Sequence, residues 1–171
     1  VWCVNKQYTG AADIAPLYPG DGYVDWVSFD AYNRGTQTAS SAQYSSSGWQ
    51  TFPQLIGPTY KALTRQASGK PIMIAELGTV EQGGSKADWF TKTFKYELKQ
   101  NYPRVKAVLY FNLNKIYDNR IASSPTSQAA FSDGVKLSYY ASSDFGSTSL
   151  SPIPPLIDDE TTTDTMPPFI N

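Results

Sequence analysis

The sequence predicts an α/β fold built from parallel strands and covering helices. Three apolar runs favour it, at residues 23–33, 70–78 and 104–112, and each ends in residues with hydrogen-bonding side chains. Stretches with the apolar spacing of a helix separate the later runs. Strands that alternate with helices in this way are typical of βαβ units, in which neighbouring strands run parallel.

The run at residues 70–78, Lys-Pro-Ile-Met-Ile-Ala-Glu-Leu-Gly, is the best defined of these strands. Short apolar runs between turn-forming residues are typical of strands that are buried on both faces. The strand ends at Glu76, and β/α barrels carry their active sites at the C-terminal ends of such strands. Glu76 is therefore a candidate catalytic carboxylate. The alternative is that it caps the next helix or points into water.

A short apolar run at residues 1–5 adds a fourth strand. We expect helices at residues 49–66, 86–100 and 126–140. Ser85 is the expected N-cap of the second helix, and Pro58 is expected to break or kink the first. Four strands of this kind make half of a (β/α)8 barrel, because a complete barrel needs about 250 residues.

The composition divides the chain into three parts. Residues 1–141 carry the strands and helices, and residues 142–163 are rich in Ser, Thr, Pro and acidic residues, as linkers are. Residues 164–171 resemble the first strand of an immunoglobulin-like module, and we expect such a module to start there. The chain opens abruptly with Val-Trp-Cys-Val-Asn, which reads as the inside of a strand, and we expect an N-terminal part to precede it.

The composition also limits the available chemistry. The 171 residues include no histidine, which excludes a Ser-His-Asp triad, a Cys-His pair and most zinc sites. The net charge of −1 predicts no surface for nucleic acid or an anionic membrane, and no apolar run approaches the ~18 residues of a membrane span. The single cysteine, Cys3, is expected to be a buried, inert thiol. Carboxylate chemistry remains, and it requires no metal or organic cofactor.

Candidate substrate contacts gather where the strand at residues 23–33 ends. Asp30 and Tyr32 are two residues apart and would lie on one face of the strand, and Asn33 follows. Aromatic residues make up 14% of the sequence, and aromatic faces stack well on pyranose rings. Trp49 and Tyr117 are candidates for such stacking, although packing is the commoner role of aromatic side chains.

Four blocks in this order carry a family resemblance, at residues 18–33, 70–78, 83–89 and 102–112. They include Ser-Phe-Asp-Ala-Tyr-Asn, Ala-Glu-Leu-Gly and Val-Leu-Tyr-Phe-Asn. Over about residues 1–140 the chain resembles the C-terminal half of the catalytic domain of glycoside hydrolase family 26, which contains β-mannanases and related β-glycanases. The resemblance implies that the strands are the fifth to eighth of a (β/α)8 barrel. It also implies an extracellular protein, secreted or on the cell surface.

The resemblance implies roles for individual residues. Glu76 matches the catalytic nucleophile, and Tyr32 matches a tyrosine that contacts the nucleophile and the substrate. Asn112 and Asn114 match the strand end that lines the sugar cleft. Residues 118–121 read Asp-Asn-Arg-Ile where the family often has Asp-Trp-Arg-Ile, so we expect one aromatic sugar platform to be absent.

The family's acid/base glutamate lies on the fourth strand, which this chain does not contain. A retaining glycosidase needs two carboxyl groups about 5–5.5 Å apart, one as nucleophile and one as proton donor. We therefore expect the second group on an N-terminal half of the barrel, in the same polypeptide or a second chain. Glu81 is the only nearby substitute, and a solvated loop carboxylate is its more ordinary role.

The expected function is that of a retaining β-glycoside hydrolase, most similar to an endo-β-1,4-mannanase, that acts on an extracellular β-linked polysaccharide or oligosaccharide. A related β-1,3-xylanase or lichenase would use the same nucleophile, and nothing in these residues excludes it. An alternative from another class is a non-catalytic carbohydrate-binding or structural module of an extracellular assembly. The missing acid/base residue and the linker composition favour that alternative.

Overall fold

The computed structural model describes residues 1–6, 13–37 and 48–140. The linker predicted at residues 142–163 and the possible immunoglobulin-like start at residues 164–171 lie outside the described residues. Within the described ranges, no helix is both long and apolar enough to cross a membrane.

Four parallel strands form one sheet in chain order. They are β1 (Trp2–Asn5), β2 (Val27–Asn33), β3 (Ile72–Thr79) and β4 (Val105–Tyr110). Parallel neighbours need a crossover connection, and helices supply it between β2 and β3 and between β3 and β4. The predicted α/β class is confirmed, and the parallel sheet is compatible with part of a (β/α)8 barrel.

Helices form a layer on one face of this sheet. They are α1 (Phe52–Gln66), α2 (Lys86–Lys92), α3 (Leu98–Gln100) and α4 (Pro125–Val135). A π-helical turn at Thr93–Glu97 joins α2 to α3, so the predicted helix over residues 86–100 is present without a break. Ser85 caps it as predicted, because its hydroxyl accepts a hydrogen bond from the Asp88 amide at 3.1 Å.

Two helices differ from the prediction. Helix α1 continues through Pro58, so the expected break is absent. The proline removes only one intrahelical hydrogen bond. The buried side chains of Leu55 and Leu63 hold the helix on the sheet despite that loss. Helix α4 ends earlier than predicted, where the chain turns so that the Tyr140 hydroxyl donates to the Phe94 carbonyl at 2.8 Å. Tertiary contacts decide both outcomes.

The hydrophobic core lies between the helices and one face of the sheet. The strand residues on this face are fully buried, and they are Val27, Phe29, Ala31, Ile72, Ile74 and Leu77. The opposite face is more open: Leu109 is 51% exposed, and Met73 and Ala75 are half-buried. The expectation that β3 is buried on both faces is therefore wrong for the described part of the chain.

Cys3 lies on this open face of the sheet, beside Ser28 in the register of β1 and β2. Exposure alternates along β1, because every second residue faces the helices and the others face away. Cys3 is exposed, and its thiol makes a long hydrogen bond to Asp30 Oδ1 at 3.7 Å. The expectation of a buried thiol is therefore wrong.

Candidate active site

A β-bulge sets the orientation of Glu76. Phe29 of β2 pairs with Ile74 of β3, and both face the helices. The next pair is Asp30 with Glu76, so Ala75 has no partner on β2. Side chains alternate between faces along a strand, and without the extra residue Glu76 would share the buried face of Ile74. The bulge turns Glu76 to the open face, where Asp30 also lies.

Tyr32 holds the Glu76 carboxylate from the end of β2. Its hydroxyl donates a hydrogen bond to Glu76 Oε2, which joins the C-terminal ends of two neighbouring strands. The Tyr32 ring packs edge-to-face on Phe111, with the ring centroids 5.6 Å apart. Burial, followed by the hydrogen bond and charge of Glu76, raises the pKa of Tyr32 above its ordinary value. The phenol therefore keeps its proton and remains a donor at neutral pH.

Asp30 stands beside Glu76 on the open face. The two residues are partners in the register of β2 and β3, so their side chains leave neighbouring strands at the same level. Burial and the nearby Glu76 charge raise the pKa of Asp30, while the contact with the Cys3 thiol acts in the opposite direction. The structure thus brings Asp30, Tyr32 and Glu76 together on the open face, from two neighbouring strands.

Asn33 and Trp49 make contacts within the protein itself. Asn33 is fully buried, and its side-chain amide donates to Thr79 Oγ1 at 3.1 Å. Its side-chain oxygen accepts from the Gln50 amide at 3.0 Å. Trp49 is half-buried and packs so closely on Gly84 that a side chain there would overlap the indole ring. These contacts favour a structural role for both residues over direct sugar binding.

The loop after β4 carries the remaining predicted residues. Asn112 and Asn114 are exposed at the C-terminal end of the sheet, and Asn112 Oδ1 accepts a hydrogen bond from the Ile121 amide at 2.8 Å. Tyr117 is only 7% exposed, and the guanidinium carbon of Arg34 lies 5.8 Å from its ring centroid. The two asparagines are therefore accessible to a ligand, whereas the Tyr117 ring is covered.

Glu81 anchors two loops to each other. Its Oε1 atom accepts hydrogen bonds from Ser123 Oγ at 2.7 Å and Ser127 Oγ at 2.8 Å. Burial opposes its ionisation, but these hydroxyls, with Ser124 and the charge of Lys86, outweigh burial and lower the pKa of Glu81. A carboxylate that stays ionised is a poor proton donor at neutral pH, so Glu81 is not suited to replace the missing acid. Glu81 is half-buried and bound by hydroxyls, so the expectation of a solvated loop carboxylate holds only in part.

Lys86 is a buried cation in the same cluster. It is fully buried, and its Nζ donates to the Arg120 carbonyl at 2.8 Å and to Ser123 Oγ at 3.0 Å. Burial lowers the pKa of Lys86 to about 8, and the charge of Glu81 opposes this shift. The cluster fastens the loop after β4 to the first turn of α2, so it holds in place the loop that carries Asn112.

Two buried polar residues near the site have no signal in the sequence. Lys86 follows a helix N-cap, where exposed charged residues are common, and Asn119 lies in a polar loop. The structure leaves them 0% and 4% exposed, respectively. Their burial depends on how the loop after β4 folds back over β3, and no local pattern encodes that.

The described site offers carboxylate chemistry at one positioned side chain, that of Glu76. An ionisable carboxylate accepts a hydrogen bond from a phenol, and a second carboxyl group lies on the next strand. Within the described ranges, no group of three or more His, Cys, Asp and Glu side chains could hold a metal ion. The arrangement is suited to nucleophilic attack by Glu76 on an electrophilic carbon.

Comparison with known proteins relates the chain to a glycoside hydrolase. Over 118 residues, or 69% of this chain, it is 41% identical to Endoglucanase H of Acetivibrio thermocellus. The aligned part is 12% of that protein, so the chain spans a small share of the relative's length. No family model matches the sequence. The similarity supports a relationship to glycoside hydrolases in general and does not single out family 26.

Proposed function

We propose that this chain is the C-terminal half of the (β/α)8 catalytic domain of a retaining β-glycoside hydrolase, with Glu76 as the nucleophile. The observation that carries the proposal is the hydrogen bond from Tyr32 to Glu76 on the open face of the sheet. Both residues stand near the C-terminal ends of parallel strands, where β/α barrels carry their catalytic groups. The similarity to Endoglucanase H agrees with this assignment.

In a retaining mechanism, an ionised carboxylate attacks the anomeric carbon while a carboxylic acid protonates the leaving oxygen. Tyr32 binds Glu76 Oε2 and so leaves Oε1 to make the bond to the sugar. Water then hydrolyses the glycosyl ester, and the second carboxyl group, now ionised, removes a proton from that water. The Tyr32 hydroxyl holds the carboxylate in one orientation throughout, because it remains protonated at neutral pH.

We assign the acid/base role to a glutamate on an N-terminal half of the barrel, supplied by the same polypeptide or by a second chain. Glu81 is ionised and turned towards Ser123 and Ser127, which makes it unsuitable. The open face of the sheet supports this assignment. In a closed barrel that face lines the interior, and the free edges of β1 and β4 pair with further strands.

The proposed substrate is a β-linked polysaccharide. The resemblance to family 26 favours an endo-β-1,4-mannan, whereas the name of Endoglucanase H favours a β-glucan as the second candidate. Asp30, Asn112 and Asn114 are the proposed contacts to sugar hydroxyls, because they stand around the end of the sheet near Glu76. A polysaccharide is too large to enter a cell, so we propose an extracellular location.

The test compares the full-length protein with its Glu76→Ala variant on galactomannan, mixed-linkage β-glucan, carboxymethylcellulose and β-1,3-xylan. Release of reducing ends is measured for each polysaccharide. We expect the variant to lose at least about a thousandfold in kcat, because the covalent step needs the carboxylate. Sodium azide should restore activity to Glu76→Ala and yield the α-glycosyl azide, since a small anion can occupy the space that the carboxylate leaves.

Glu97→Ala is the matched control, because Glu97 lies in the helical layer and binds Asn101. It should keep wild-type kinetics. Equal activity of the wild type and Glu76→Ala would overturn the proposal. If the wild type binds a polysaccharide and cleaves none of the four, the protein is a binding module instead.

A further inference from the structure

Gly78 is the residue of β3 against which the Tyr32 ring lies. The two residues are partners in the register of β2 and β3. A Cβ atom built on Gly78 would lie 2.6 Å from Tyr32 Cδ1 and 2.8 Å from Tyr32 Cε1. It would also lie 2.7 Å from Asn119 Oδ1. All three distances are shorter than real Cβ contacts, so the position has no room for even a methyl group.

Position 78 requires a glycine because there is no space for a side chain, and not because the backbone has an unusual conformation. The described glycines with positive φ are Gly20, Gly35, Gly48 and Gly83, and Gly78 is not among them. An alanine could therefore adopt the backbone of Gly78 without strain. The nearest obstacles to a side chain at residue 78 are the Tyr32 ring and the Asn119 side chain.

Neither neighbour can move aside freely. The Tyr32 ring is in contact with Phe111 on another side, at 5.6 Å between centroids. Asn119 is 4% exposed, and its backbone N–H donates to the carbonyls of Leu113 at 3.1 Å and Tyr117 at 3.0 Å. A side chain on β3 would therefore displace the Tyr32 ring together with its hydroxyl.

We infer that Gly78 is a positioning residue of the site, because its bare backbone lets the Tyr32 ring settle on β3 with the hydroxyl on Glu76. The inference rests on the proposed role of Glu76. Gly78 touches neither substrate nor reacting atoms, and it acts through Tyr32. Gly78 and Glu76 are two residues apart on β3. The same strand therefore carries the proposed nucleophile and the position against which the ring of Tyr32 packs.

The test uses the full-length protein and the aryl β-cellobioside or β-mannobioside that it cleaves faster. Gly78→Ala should lower kcat/KM about tenfold or more, because that is the factor that loss of a hydrogen bond to a charged group produces. Tyr32→Phe should cause a similar loss, and Gly78→Ala in the Tyr32→Phe background should cause little further loss. Gly69→Ala is the matched control, because a Cβ atom there meets nothing within 4 Å, and it should stay within about twofold of the wild type.

The double variant separates positioning from a general loss of structure. If Gly78 acts only by placing the Tyr32 hydroxyl, Gly78→Ala lowers kcat/KM in the wild type and has little effect once that hydroxyl is absent. A substitution that only destabilises the protein lowers kcat/KM by the same factor in both backgrounds. Gly69→Ala should have no effect in either background.

Wild-type kinetics for Gly78→Ala would overturn the inference, as would a double variant whose loss is the product of the two single losses. If Gly78→Ala does not fold, Phe111→Leu frees the Tyr32 ring from its other neighbour. Phe111→Leu should lower kcat/KM in the wild type and cause little further loss in the Tyr32→Phe background, and wild-type kinetics for Phe111→Leu would overturn the inference. Full activity in Glu76→Ala would instead overturn the proposed function, so the two failures are distinguishable.

Discussion

At the scale of single residues, Lys86 shows how this fold accommodates a charge without solvent. Its ammonium group has two acceptors, the Arg120 carbonyl and Ser123 Oγ, and Ser123 in turn donates to Glu81. A buried charge is costly unless hydrogen bonds compensate it, and here the compensation is partial, because burial lowers the pKa of Lys86 to about 8.

The lowered pKa of Lys86 predicts how stability changes with pH. The ordinary pKa of this group is 10.5, and in the folded protein it is about 8. Between these values the unfolded chain holds the proton and the folded chain has released it, so the free energy of unfolding rises with pH in this window. Below pH 8 both states are protonated, and this contribution is constant.

The measurement is thermal unfolding of the wild type and Lys86→Met between pH 7 and about pH 9.5, below the ordinary titration range of tyrosine. We expect the difference in stability between the two proteins to change in favour of the wild type as the pH rises through this range. Lys99→Met, at an exposed position of α3, is the control and should follow the wild type. Parallel curves for the wild type and Lys86→Met would contradict the prediction.

At the scale of elements, two helical glycines have opposite roles. Gly134 of α4 lies against the π-helical turn, and a Cβ atom there would come within 2.8 Å of Phe94 Cβ. Gly57 of α1 would place a Cβ atom 3.6 Å from the Tyr102 hydroxyl, which is an ordinary contact. Helix α4 therefore uses its glycine to approach a neighbouring helix closely, whereas α1 does not.

Gly134→Ala should lower the free energy of unfolding by about 1–3 kcal/mol, because overpacking outweighs the gain in helix propensity of about 1 kcal/mol. Gly57→Ala should change it by less than about 1 kcal/mol, because contact between the new Cβ atom and the following Pro58 offsets the gain in helix propensity. Denaturant unfolding of the two variants measures both effects. If both variants change the free energy of unfolding equally and with the same sign, close packing at Gly134 does not contribute to stability.

The bulge in β3 is a second feature of a single element that affects the site. It is one residue long, yet it decides that Glu76 leaves the strand on the open face and that Leu77 returns to the core. Bulges often occur beside active sites for this reason, because they change the direction of a side chain without ending the strand.

At the scale of the whole molecule, the open face of the sheet is the main consequence of the proposed half barrel. Cys3 and Leu109 are exposed on this face within the described residues. In a complete barrel both side chains would be enclosed by the other half. The accessibility of Cys3 in the full-length protein therefore reports on whether that half is in place.

We expect maleimide to label Cys3 at least about a hundredfold more slowly in the native full-length protein than in denaturant, as for residues that react only on opening. Mass spectrometry of the Cys3 peptide measures the two rates. Cys3 is the only cysteine among these 171 residues, and the mass of its peptide distinguishes it from other cysteine peptides of the full-length protein. Rapid labelling of the native protein would mean that nothing covers this face.

The local parts of the structure follow from the sequence. Uninterrupted apolar runs predict the strands, helical spacing predicts the helices, and Ser85 begins α2 because its hydroxyl meets an unpaired amide of the first turn. The expectation that this strand ends at Glu76 is wrong, because β3 continues to Thr79 and its last three residues still pair with β2. The role of Glu76 as nucleophile and the barrel itself stay predictions.

Only the tertiary structure decides which way these side chains face and what they meet. A bulge, and not the alternation of the sequence, turns Glu76 away from the core. The loop after β4 buries Lys86 and brings Asn119 to Gly78, although these residues are far apart along the chain. The physical reason is that strand and helix formation depends on neighbours a few residues away. Burial, charge and hydrogen-bond partners depend on segments that only the folded chain brings together.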